Sequence, residues 1–523
     1  MPPRRRNILF VTTDQQRWDS LGCNGGAIAR TPAVDGLAAA GIRYERPHVQ
    51  NVVCMPSRAT MVTGQHVRSH GVTGNGVVLP VDHPTVVHAL HDAGYRTGLV
   101  GKSHYEPLLD LGHRWRQNRM SWTGSTGPWR GFDRVELASH SPLPSTHYGQ
   151  WLLRHHPRDL LGFGMVLTGK RGGDTAAPEV ATNPIATERY HSAWVADRAL
   201  AFLRDAGDAP WFLWASFPDP HHPWDPPARE RARVPWRDLD LPPNHPGSPA
   251  RARELLATKP RHWLDWYEGR FHNPEGGPVR FVPSQLTDDQ VREINALIHV
   301  ENELIDDALA RILAGLRDAG VDADTDIFFT SDHGELQGDF GLMFKGPYHV
   351  DALLRVPLVW RPAPSAGIAA AVVPEPVGLV DLAPTFCAIA GIPPLPTFEG
   401  AALPTAPGSG RRRVLTEFDS QFREVGMHLR TMFTGRHLVT VYRRSTTDRG
   451  GRFPVLELFW PKGDIPRYDG TEGELYDVVD DPQQRRNLWH DPAARGLRAE
   501  LVEELAAALP AGRATPLPVS APT

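Results

Sequence analysis

The sequence predicts an α/β protein: a large, mixed but mostly parallel sheet flanked by helices, followed by a smaller C-terminal α+β unit. Three observations carry that expectation. Short apolar, β-rich runs alternate with helical patterns over residues 1–392. Conspicuous polar residues follow each run at once, as they do beyond the carboxyl ends of parallel strands. A proline- and glycine-rich tract, residues 393–413, then separates this region from a last stretch, 414–523, with patterns of its own.

The runs are NILFVTT from Asn7, RTGLVG from Arg96, WFLWASF from Trp211 and DIFFTSD from Asp326. Between the last two, a helix is expected from about Ile294 to Leu316. Its apolar residues Leu297, Ile298, Leu304, Ile305, Leu309, Ile312 and Leu316 recur mostly at three- and four-residue steps, and Gly320 stops it. Pro56 and Gly64 bracket a short helix of roughly Pro56 to Thr63, which sets Cys54 just before its N-terminus. Residues of about 105–187 and 219–283 are rich in Pro, Gly, His and Trp with weak periodicity. They read as long loops and short elements laid over the sheet, and loops of that length are uncommon unless functional. The C-terminal unit offers strand-like RHLVTVYRR and LELFW and a final helix near Leu497 to Leu509.

Composition excludes several classes. Of 523 residues, 41% are apolar and 22% charged, a soluble globular balance. Fifty-six basic against 60 acidic side chains argue against nucleic acid as the main partner while permitting a local cationic pocket. Three cysteines, Cys23, Cys54 and Cys387, do not make a disulfide framework and suit a reducing compartment. The apolar stretch Ile8–Val11 behind the basic start is far shorter than a secretory h-region, and no run reaches a membrane span. A cytoplasmic protein is expected.

The four strand ends deliver Asp14 with Gln15, Lys102 with His104, His221 with His222, and Asp332 with His333. Any one could be turn chemistry. Together they are chemically coherent. Asp14, Asp332 and the Gln15 carbonyl offer oxygen ligands to a hard divalent cation, with His333 as a nitrogen neighbour. Lys102, Lys345 and Arg58 offer fixed positive charge, so the set describes a site for a tetrahedral oxyanion. His104 and His221 are candidate proton donors and acceptors. Cys54, beside a helix start that favours negative charge, reads either as a small buried thiol or as an activated nucleophile. Residue chemistry alone stops at a reactive group beside an anion site.

Motifs carry the reading further. CMPSRATMVTG from Cys54 resembles the C-x-P-S-R-x-x-L-L-T-G signature of the type I sulfatases, within the alkaline-phosphatase-like superfamily, and GYRTGLVGKSH from Gly94 is similar to their second signature. The Asp14 turn, PHHPW, SDHGE and GELYDVVDDPQQRRNL follow in family order, so the resemblance spans nearly the whole chain. It implies that a formylglycine-generating enzyme oxidises Cys54 to an aldehyde whose hydrate supplies the nucleophile. It further implies that one divalent metal sits among Asp14, Gln15, Cys54, Asp332 and His333. Calcium is the first expectation, with manganese or magnesium open because imidazole suits transition metals better. Arg58 would activate the attacking oxygen. Lys102, Lys345, His221 and Asn75 would hold sulfate, His221 would serve the leaving alcohol, and His104 would deprotonate the second hydroxyl so that sulfate is expelled.

Many family members carry two adjacent aspartates at Asp14-Gln15 and an asparagine at His333. The swaps here resemble the choline-sulfatase and phosphonate-monoester-hydrolase branches. Lys102 and His104, however, match the sulfatase pattern. The expected activity is hydrolysis of a small sulfate monoester; the alternatives are a phosphonate or phosphodiester hydrolase and a non-catalytic anion-binding relative. Trp115, Trp122, Trp129, Trp151 and Trp224 could line a leaving-group pocket or simply pack. The ester and the oligomeric state are not readable.

Overall fold

The computed structural model describes residues 5–107, 114–164, 171–273, 278, 281–420, 427–444 and 466–520. Its strands, in chain order, are β1 (Asn7–Thr13), β2 (Ile42–His48), β3 (Arg96–Gly101), β4 (Arg134–Leu137), a small ribbon of β5 (Arg171–Gly172) and β6 (Ala177–Pro178), β7 (Trp211–Ser216), β8 (Thr325–Ser331), β9 (Leu358–Arg361) and β10 (Ala371–Gly378). Eight of them form one sheet in the order β10-β2-β9-β8-β1-β7-β3-β4. Every pairing is parallel except the two made by β9.

The four runs expected from sequence become β1, β3, β7 and β8, which are adjacent at the centre of the sheet. Their continuous apolar character follows from burial on both faces. Ile8 and Phe10 of β1 enter one core with Phe212, Trp214 and Phe328; Leu9 and Val11 enter the other with Leu213, Ala215, Ile327 and Phe329. The strands without a sequence expectation are the outer ones and β9. β2 (IRYERPH) and β10 (AVVPEPVG) carry charges and prolines, which the edge position of β10 tolerates and which in β2 fall mostly beyond its short pairing with β9 at Ile42 and Arg43. β4 and β9 are only four residues each, too short for a periodic signal.

The long helix runs from Asp288 to Asp318, six residues further back than its apolar stripe suggested. Thr287 begins it with a capping box, accepting from Gln290 N while the Gln290 side chain accepts from Thr287 N. It packs its later turns with the His191–Asp205 helix on the second core. Gly320, at φ +67°, ends it as expected.

The Cys54 helix differs from expectation. It spans Cys54–Thr63 with Val53 as N-cap, so Cys54 occupies the first helical position and Pro56 the third. The first-turn N–H groups have no partner within a helix, so proline is tolerated there. Asn51 Oδ1 accepts from Val53 N at 2.8 Å and Asn75 Oδ1 from Met55 N at 3.0 Å, fixing the start two residues early.

The C-terminal unit is an antiparallel sheet of β11 (Val414–Asp419), β12 (His428–Phe433), β13 (His437–Arg443) and β14 (Gly473–Asp477), with a helix at Arg495–Ala508. The expected strand LELFW lies outside the described residues. Residues 393–413 carry no helix or strand yet are tied down: Glu399 accepts from His66 N and Ser69 Oγ, and Pro404 O accepts from Tyr44 Oη. β11 is held against the larger unit just ahead of Cys54, since Glu417 N donates to Gln50 O at 2.9 Å and Asn51 Nδ2 to Glu417 O at 2.7 Å. Among the described residues no helix is long and apolar enough to cross a membrane, and the three cysteines are free thiols.

His262 joins three segments. Its Nε2 donates to Pro347 O at 2.9 Å and its Nδ1 accepts from Tyr468 Oη at 2.7 Å, an arrangement only the neutral ring can make. Burial pushes it down from 6.5 to about 3. Because the unfolded chain takes up this proton first, the stabilisation is complete above about pH 6.5. It is lost as pH falls toward about 3, at roughly 1.4 kcal/mol per unit. Thermal melts across that range should show a shallower acid decline in His262→Phe than in the parent; equal slopes would refute the assignment.

Candidate active site

At the carboxyl ends of the four central strands the backbones continue to pair for one more residue. Asp14 N donates to Asp219 O, Lys102 N to Ser216 O and Asp332 N to Thr13 O. These bonds fix where Asp14, Lys102 and Asp332 leave the sheet. Gly101 must be glycine here: φ is +99°, and a Cβ would sit 1.7 Å from the Ser216 carbonyl oxygen.

The side chains converge. Arg58, fully buried one turn into the Cys54 helix, turns its fork back onto the strand ends. Its Nε donates to Asp332 Oδ2 at 2.7 Å, and its Nη1 to Lys102 O at 2.8 Å and Ser216 Oγ at 2.9 Å; its Nη2 lies 3.4 Å from Asp14 Oδ2. Lys102 Nζ pairs with the same Asp14 oxygen. Ser57 Oγ donates to Asp332 O at 2.6 Å, tying the helix to β8 a second time. Cys54 Sγ lies 3.1 Å from His333 Nε2, 3.7 Å from Asp14 Oδ1 and 3.9 Å from Lys102 Nζ.

Asp14, Cys54, Asp332 and His333 are all buried, and their ligand atoms lie within 4.8 Å of one another. His333 Nδ1 donates to Gly334 O at 3.0 Å, so Nε2 is the atom turned on the two carboxylates, 3.6 and 3.7 Å away. Two oxygen donors, an imidazole and a thiol around one point are a donor set that fits a divalent cation. Gln15, at φ +68°, donates its N–H to Asp332 Oδ1 at 3.1 Å. Its side chain faces the other way: Oε1 accepts from Lys345 Nζ at 2.8 Å, and Nε2 meets the buried Glu335.

Charge shapes the chemistry of each group. Burial would push the Asp14 carboxyl up, but Lys102, Arg58, His333 and Lys345 hold it well below its usual value. Burial and Asp14 oppose ionisation of the Cys54 thiol, yet Lys102, Lys345 and His333 outweigh them and lower it. Burial disfavours the charged His333 ring, while Asp332 and Cys54 raise it, which is the pull that a cation at the same place would satisfy. Burial, with Lys102, drives His104 well down; burial, with Lys345, does the same to His221. The site is thus a cationic floor with neutral histidines above it.

Of the residues expected from sequence, Asp14, Gln15, Cys54, Arg58, Lys102, His221, Asp332, His333 and Lys345 form one connected network, with His221 entering through Nε2, 2.8 Å from Lys345 Nζ. Asn75 is beside it through the Met55 amide. His104, at φ +55°, is buried with both ring nitrogens unpartnered. Two participants escaped the sequence reading. His140 stacks flat on His221, and Glu335 fixes the loop of Lys345 by accepting from Gln337 N at 3.1 Å and from Phe344 N. His140 follows β4, so recognising that short strand would have exposed it as one more strand-end histidine. Of the tryptophans, Trp224 and Trp129 are packing residues: Trp224 stacks on Phe344 at 5.5 Å, and Trp129 lies against Tyr105 and Arg130. Trp122 is exposed.

Buried carboxylates, a guanidinium and two ammonium groups thus meet at the carboxyl edge of the central strands. The sulfatase family model matches residues 6–392, and the chain belongs to the sulfatase family. It is 26% identical over 510 residues to the sulfatase YidJ of Escherichia coli K12, covering 96% of this chain and 86% of that protein. It is 28% identical over 406 residues to the arylsulfatase of Clostridium perfringens, covering 76% and 77%. Among solved structures, the phosphonate monoester hydrolase from Silicibacter pomeroyi aligns with TM-score 0.74 over 96% of this chain and 95% of that one, at 23% identity, a likeness of fold. The protein is a sulfuric ester hydrolase.

Arg58 holds both carboxylates at once, so lysine should not replace it. Arg58→Lys is expected to lose on the order of 10²-fold in kcat/KM and about 2 kcal/mol of stability. Ester kinetics and a thermal melt check both, and an unchanged melting temperature would show that the fork is not a structural tie.

Proposed function

We propose that the protein hydrolyses a small sulfate monoester to an alcohol or phenol and inorganic sulfate, using Cys54 converted to formylglycine and one divalent cation. The observation that supports this best is the buried convergence of Asp14, Cys54, Asp332 and His333 beneath the ammonium groups of Lys102 and Lys345. Asp14, Asp332 and His333 would hold the cation, with Gln15 joining them by giving up its bond to Lys345. Calcium is favoured by the oxygen donors; magnesium and manganese are admitted by the imidazole. When bound, the cation supplies charge to the sulfate oxygens and to the attacking oxygen, and the aldehyde at position 54 supplies that oxygen as its hydrate.

The chain's own residues do the rest. Arg58 fixes the orientation of both carboxylates. Lys102 and Lys345 bind sulfate oxygens and oppose the charge that builds on them. The Lys345–His221 pair faces the leaving oxygen and provides its proton. His104, neutral with both nitrogens unpartnered, accepts the proton released at position 54. Asn75 caps the helix that presents that residue and would add a contact to the sulfate. Maturation requires a formylglycine-generating enzyme as partner. The cytoplasm is the compartment we favour, on the sparse cysteines.

The phosphonate-ester alternative is separable by rate. With metal-reconstituted enzyme co-expressed with the maturation enzyme, kcat/KM for an aryl sulfate should exceed that for the matching phosphonate monoester, and chelation should abolish both. A preference for the phosphonate would overturn the sulfate reading, and activity that survives complete chelation would overturn the metal.

A further inference from the structure

His140 stands three residues beyond the end of β4, beside the strand that delivers Lys102. It is buried, and its ring lies flat on that of His221, with centroids 4.1 Å apart and planes 13° from parallel. His221 in turn lies on His222 at 4.2 Å and 28°. The far side of His222 meets the edge-on rings of Phe344 at 4.8 Å and Trp224 at 5.7 Å. His221 is therefore the middle ring of a column closed on one side by core aromatics and on the other by His140.

Within its own plane His221 is also fixed. Nδ1 donates to His222 O at 2.5 Å, which leaves Nε2 to accept from Lys345 Nζ at 2.8 Å. That carbonyl bond sets the tautomer, but it leaves the ring free to tilt about it. Face contacts oppose tilt: His222 covers one face and His140 the other, the flatter of the two. The Nδ1 of His140 is buried and has no hydrogen-bond partner, so at that atom the ring is held by packing.

We propose that His140 is a positioning residue: packed flat on His221, it holds the plane in which His221 Nε2 and Lys345 Nζ meet the leaving-group oxygen. The inference rests on the reading that this pair serves the leaving oxygen. As the ester bond breaks, that oxygen keeps the bonding electrons and takes the proton that Lys345 Nζ shares with His221 Nε2, and the ammonium regains one from water. A tilt that moves Nε2 by about 1 Å is enough to lose on the order of 10²-fold in such a transfer.

The test is the dependence of kcat/KM on leaving-group acidity. It is measured on whichever ester series the parent enzyme turns over, sulfate or phosphonate. Failure of the sulfate reading then shows in the parent's rates, and failure of the stack shows in the variants. His140→Ala should lose on the order of 10²-fold on alkyl esters, whose leaving oxygen needs a proton, and less than about threefold on nitrophenyl esters. His140→Phe, which keeps a flat ring, should recover alkyl-ester turnover to within about threefold of the parent. A uniform loss across the series in His140→Ala would overturn the proposal. So would a His140→Phe variant as impaired on alkyl esters as His140→Ala, because a nitrogen rather than a face would then be the essential group. If His140→Ala does not fold, His140→Phe decides alone: a parent-like leaving-group dependence supports the stack, and a steeper one contradicts it.

Discussion

Asp14 and Asp332 are buried beside Arg58, Lys102 and Lys345, with no water-exposed edge to relieve them, and the rest of the structure is arranged to make that burial tolerable. Each desolvated ion costs several kcal/mol, so such a group is kept only where partners and hydrogen bonds compensate it. The parallel strands provide the first compensation. Their ladders run one residue past β1, β3 and β8, so the carboxylates and Lys102 start from fixed backbone. The Arg58 fork provides the second by taking one oxygen of Asp332 and the carbonyl of Lys102 in a single rigid plane. A core of neutral polar groups would be easier to fold.

The same constraint explains why so much of the chain is devoted to holding one short helix. Cys54 is presented at its first position, Asn75 and Asn51 cap it, Ser57 and Arg58 bind it to β8, and Glu417 of β11 is bonded to the two residues just ahead of its N-cap segment. The C-terminal unit is in this sense a buttress for the position of Cys54. Burial drives His104 and His221 well below the usual imidazole range, which favours their neutral forms. In the reaction proposed above, the fixed cations would bind the anion and the neutral imidazoles would exchange protons.

The central strands were legible because burial on both faces writes itself as an unbroken apolar run. The polar residues that follow those runs were legible for the same reason, since the end of the run marks the end of the strand. β4 hid because RVEL carries no period, and His140 was hidden with it. β10 hid because an edge strand accepts glutamates and prolines, and β2 hid because it pairs with β9 only at Ile42 and Arg43, leaving its arginines, glutamate and Pro47 mostly outside that ladder. The helix start at Cys54 was displaced by two residues because Pro56 signals a first turn without saying which position in that turn it takes. The side-chain bonds from Asn51, two residues ahead of Val53, and from the distant Asn75 decide that, and the Asn75 bond has no local signature. The role of Glu335 was equally invisible, because a glutamate in SDHGE does not reveal that it will be buried against Gln15.

The central claim is that this pocket works with an oxidised residue at position 54. The direct test is mass spectrometry of the tryptic peptide Tyr44–Arg58 from catalytically active protein produced with its maturation enzyme. The account predicts formylglycine, as aldehyde or hydrate, at position 54, in a proportion that tracks specific activity. A fully active preparation in which the peptide carries only the unmodified cysteine would contradict it.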